Sequence, residues 1–81
     1  MRRPPQTQWK YLINTSPTHL EVHDLDNEHT DPSECQIDKI IAAGHAQYLM
    51  GVNNEQDLVF WLQRNPSYDG CRYCLAKYHT K

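Results

Sequence analysis

Tyr68-Asp69-Gly70-Cys71-Arg72-Tyr73-Cys74 sets two thiols two residues apart, directly after a glycine. Such a CxxC pair can grip one metal ion or close one redox disulfide. A glycine before the first cysteine suits a tight turn that brings both sulfurs to one ion and aims backbone N–H groups at them. The chain has 3 cysteines, and the remaining one is Cys35. An odd number cannot all pair within one molecule. Three thiolates and one imidazole, in contrast, complete a tetrahedral zinc shell. A thioredoxin-like CxxC follows a strand and opens a long helix in a βαβ setting. The residues around 71–74 lack that setting.

The rest of the chain makes a metal staple useful. It has 81 residues, of which 38% are hydrophobic, and a mean hydropathy of −0.84. A domain of this size buries only about 60% of its unfolded surface. Small domains compensate with disulfides, a metal or oligomerisation. The net charge of −2 disfavours a nucleic-acid binder, which carries a basic face. Arg2, Arg3 and Lys10 make the N-terminus locally basic, whereas Glu21, Asp24, Asp26, Glu28, Asp31 and Glu34 form an acidic stretch. That stretch reads as a solvated loop rather than as paired catalytic carboxylates. No signal peptide or membrane-length apolar run is visible, so a soluble, cytoplasmic protein is the expectation.

Outward from the cysteines, the pattern predicts an α+β fold. Residues 1–8 read as a flexible tail, 9–76 as one zinc-binding domain and 77–81 as a C-terminal tail. Trp9 to Asn14 is aromatic and apolar, and His19 to Leu25 alternates. With the Thr15-Ser16-Pro17-Thr18 turn between them they predict a β-hairpin. In the second strand Leu20 and Val22 share one face, and His19, Glu21, His23 and Leu25 share the other. Asp31-Pro32-Ser33-Glu34 reads as a helix start with a capping box, and Ser33 with Gln36 offers a second box. Either start puts Cys35 in the first turn, pointing away from Ile37 and Ile41, or just ahead of regular helix. Gly44 stops this helix. Ala46 to Met50 reads as a short third strand. Glu55 to Arg64 reads as a second helix burying Leu58, Trp61 and Leu62, with Asn53-Asn54 before it as turn and cap.

The fourth ligand has three candidates. His23 lies on the second predicted strand, His29 in the loop nearer Cys35, and His79 beyond Cys74 with four residues between. The order Val22-His23, then Cys35, then a Tyr48-containing strand, a helix and Tyr-Asp-Gly-Cys-Arg-Tyr-Cys resembles small bacterial metal-binding domains of the Ada type. That type is the zinc domain of DNA methylphosphotriester repair regulators. The resemblance covers roughly residues 11–75. It implies one Zn²⁺ on His23, Cys35, Cys71 and Cys74. The chain departs from the repair domain, which uses four cysteines and a methyl-accepting thiol. It also spaces its first two ligands more widely than such domains do.

The expected function is a structural zinc module without catalytic activity, serving contact with a protein partner or regulation. Two alternatives carry different chemistry. One is nucleic-acid binding by analogy with the repair domain, and the other is a thiol redox or methyl-acceptor protein with Cys35 activated at a helix start.

Overall fold

The computed structural model describes residues 1–80, the Pro32 side chain apart. Lys81, the end of the expected tail, lies outside the described residues. The hairpin is present as β1 (Tyr11–Asn14) and β2 (Glu21–Asp24), antiparallel with Leu12 opposite His23 and Ile13 opposite Val22. A helical turn, α1 (Pro32–Cys35), and a short helix, α2 (Ile37–Ala42), lead to β3 (Ala46–Tyr48). After the long helix α3 (Glu55–Arg64) comes a two-residue strand, β4 (Asp69–Gly70). The strand order is β3-β1-β2-β4, with β3 antiparallel to β1 and β4 parallel to β2.

The mixed sheet is covered on both faces, which is why its central strands bury residues of both parities. Tyr11, Ile13 and Val22 face one core, shared with Leu49, Val52, Leu58 and Leu75 and flanked by Trp61 and Leu62 of α3. Leu12 faces the opposite core, which contains Leu25, Cys35, Ile37, Cys71 and Cys74, with Tyr48 against it. The alternation in β2 therefore separates two burials. Val22 belongs to an aliphatic core, and His23, one residue on, is 1% exposed on the cysteine side.

The expected single helix after Asp31 is broken. Asp31 does act at its start, its Oδ1 accepting from the Ser33 N–H at 3.0 Å. The chain then leaves helical geometry at Gln36, whose φ is 58°. This left-handed residue separates α1 from α2 and turns Cys35 inward beside Ile37, instead of away from it. Helix α3 has the predicted bounds, and Asn54 caps it by accepting from the Asp57 N–H at 2.8 Å.

Candidate metal centre

Strand β4 sets the position of the CxxC turn. Its Asp69 N–H donates to Leu20 O, and the Cys71 N–H just beyond it donates to Val22 O at 2.8 Å. Cys71 is thereby laid beside His23. The chain then reverses, the Leu75 N–H donating to Cys71 O at 2.9 Å. Gly70 is required for the close approach of this turn. A Cβ there would lie 2.6 Å from Leu75 O and 2.8 Å from Tyr78 Cβ.

His23, Cys35, Cys71 and Cys74 come together on the cysteine side of the sheet. Each is buried, and one ligand atom from each lies within 4.8 Å of every other. Cys71 Sγ is 3.9 Å from Cys35 Sγ, and Cys74 Sγ is 3.7 Å from His23 Nδ1. A tetrahedral ion with metal–sulfur bonds of about 2.3 Å has sulfur–sulfur edges of about 3.8 Å. The Cys71–Cys35 edge matches that spacing. His23 Nε2 is buried with no hydrogen-bond partner. An imidazole among sulfurs, with a nitrogen left over, is poorly satisfied by hydrogen bonding alone. The donor set fits a tetrahedral, sulfur-rich cation site.

Backbone donors complete the surroundings. The Asp24 N–H donates to Cys74 Sγ at 3.2 Å, and the Tyr73 N–H reaches Cys71 Sγ at 3.4 Å. The Tyr73 amide is of the kind that the glycine turn was expected to aim at sulfur, whereas the Asp24 amide comes from β2. The thiols are shifted in opposite directions. A hydrogen bond from Cys74 holds the Cys71 thiol down to about 3 against its burial, helped by bonds from His23 and from backbone amides. Cys74 is pushed up, first by that bond to Cys71 and then by burial. Cys35 is raised by burial. Burial opposes ionisation of these thiols together, and a cation at their centre would let all three ionise.

The other candidate ligands have different partners. His29 is exposed, and its Nδ1 accepts from the Asp31 N–H at 3.0 Å. His79 Nδ1 lies 2.9 Å from Asp69 Oδ2. The long gap from His23 to Cys35 is folded up, not spanned. Leu25–Asn27 forms a 3-10 turn, and Asn27 Nδ2 donates to Cys74 O at 3.0 Å. Charge holds the same stretch from outside. Arg2 makes two bonds to Asp26, Arg3 bridges Glu28 and Asp38, and the Met1 ammonium reaches Glu28 at 2.6 Å. The expected tail and the acidic stretch thus face each other as charge complements. Their opposite signs were visible in the sequence, but their pairing was not.

No helix of the described chain is long and apolar enough to cross a membrane. No protein-family model, curated protein or solved structure matches the chain.

Proposed function

We propose that the chain is a structural zinc module whose one Zn²⁺ is held by His23, Cys35, Cys71 and Cys74. The observation that carries this reading is the convergence of four buried ligand atoms from separate segments within 4.8 Å. Three sulfurs and one nitrogen are a zinc donor set, and hard cations such as Ca²⁺ or Mg²⁺ take oxygen instead. Four protein ligands close the tetrahedron and leave no position for substrate, which supports a structural over a catalytic role. The ion would join β2, the end of α1 and the 71–74 turn, adding folding free energy to a thin core. Such a module serves by presenting a rigid surface to a protein partner. Thiols kept free for metal suit a reducing, cytoplasmic setting.

Burial of all three thiols, each no more than 3% exposed, opposes methyl acceptance or thiol exchange, both of which need an accessible sulfur. The net charge of −2 opposes the nucleic-acid reading.

The test is elemental analysis of protein purified without a metal-binding tag, followed by chelation. Zinc at one equivalent, with loss of near-UV circular dichroism on chelation and recovery on adding Zn²⁺, supports the proposal. A metal-free protein with an intact tertiary spectrum overturns it.

A further inference from the structure

A second polar feature lies at the β2–β4 edge of the sheet, outside the metal cluster. Thr18, His19, Glu21, Asp69 and His79 line an open cleft of about 510 Å³. Three of its properties select a ligand class.

The first is a fixed imidazole. His79 Nδ1 has two neighbours, Asp69 Oδ2 at 2.9 Å and Gly70 O at 3.1 Å. A carboxylate and a carbonyl only accept, so Nδ1 carries the hydrogen. In the neutral ring Nε2 is then the acceptor, and no described residue partners it. Asp69 is itself 4% exposed and anchored, its Oδ1 accepting from the Thr80 N–H at 2.7 Å and from Thr80 Oγ1 at 3.0 Å. A buried carboxylate behind an imidazole is how proteins orient a ring toward a ligand.

The second is Glu21, which stands opposite Asp69 in the parallel pairing. Its side chain is partly buried, yet forms no hydrogen bond or ion pair with any described residue. A partly desolvated carboxylate gains from a donor brought to it. The third is sign. Among the described residues that line the cleft, none is lysine or arginine. The cleft therefore offers acceptors and negative charge.

A divalent ion is a poor match. Among the described residues only the His23 cluster gathers ligand atoms at metal distance. A primary ammonium is a better one, because it carries a positive charge and three N–H donors that can reach separate acceptors. We propose that this cleft binds a primary ammonium group, supplied by a free alkylamine or by a lysine side chain, with Glu21 as counter-ion and His79 Nε2 as a second acceptor. The proposal rests on the cleft and is independent of the identity of the metal.

The experiment is a backbone-amide NMR titration of the full chain with methylammonium, and with tetramethylammonium as a cation lacking N–H donors. Saturable shifts at His19, Glu21 and His79 with methylammonium alone are expected. Glu21→Gln should weaken binding about tenfold or more, as befits loss of one charge-assisted hydrogen bond. Parallel titrations with butylamine and with a blocked lysine amide identify the source, and tighter binding of either supports the proposal. Equal response to tetramethylammonium, no saturation at millimolar amine, or an unchanged affinity in Glu21→Gln overturns it. The same holds if Ni²⁺ shifts these residues while amines do not. Should Glu21→Gln fail to fold, the comparison of the two cations on the unaltered protein still decides.

Discussion

His23 and Val22 are adjacent in sequence and lie in different cores, so the fate of each side chain is set by strand parity. The choice among His23, His29 and His79 could not be read from spacing, because it depends on partners that only the fold supplies. The Asp31 amide engages His29, and Asp69 holds His79. Replacing either should therefore leave metal content unchanged, whereas Cys35→Ser or His23→Ala should lower the metal-to-protein ratio of purified protein well below one. Retention of metal by His23→Ala with loss in His79→Ala would refute the ligand set. Gly70 is a second decisive residue. Gly70→Ala forces a methyl into backbone at 2.6 Å and should destabilise by about 1–3 kcal/mol in denaturant melts, as overpacking does.

Among the elements, legibility followed length. Helix α3 was readable because ten residues carry a periodic face, an Asn54 cap and Arg64 at the last turn. Asn54→Ala should cost about 1 kcal/mol, measured as a shift in the unfolding midpoint. Strand β4 was not readable, since two residues have no period and exist as a strand only through pairing with β2. The break between α1 and α2 was also hidden. Two overlapping capping signals at Asp31 and Ser33 read as alternative starts of one helix, and the left-handed turn lies at an ordinary Gln36. A non-glycine residue in that conformation costs about 1 kcal/mol. Gln36→Gly should therefore be neutral or mildly stabilising in thermal melts, despite lying next to Cys35. A large loss would mean that its side-chain bond to Ser33 O matters more than backbone strain.

On the scale of the molecule, charge complementarity joins segments that hydropathy cannot. Glu28 is pushed up by its burial, but Arg3 and the chain's ammonium outweigh that and hold its carboxyl below the ordinary value of 4.5. A carboxyl depressed by folding adds stability above its unfolded value, and loses that contribution as pH falls through the folded one. The stability gap between the unaltered protein and Glu28→Gln should therefore be full near neutrality and shrink below about pH 4.5. A gap that widens in acid would contradict the pairing. Taking the difference between the two proteins cancels any acid release of a bound metal, which would affect both.

The cysteine pair lies 36 and 51 residues from its partners Cys35 and His23, measured from Cys71 and Cys74 respectively. During synthesis, the hairpin, α2, β3 and α3 all leave the ribosome before the sequence that supplies half of the ligands and the fourth strand. Contacts of such long separation form late and slowly. Sheet completion and metal capture are therefore expected as one terminal event. A nascent chain halted before Cys71 would hold two ligands, an open edge beside β2, and no means of keeping an ion. A filled site in this arrangement would require that translation has passed residue 74.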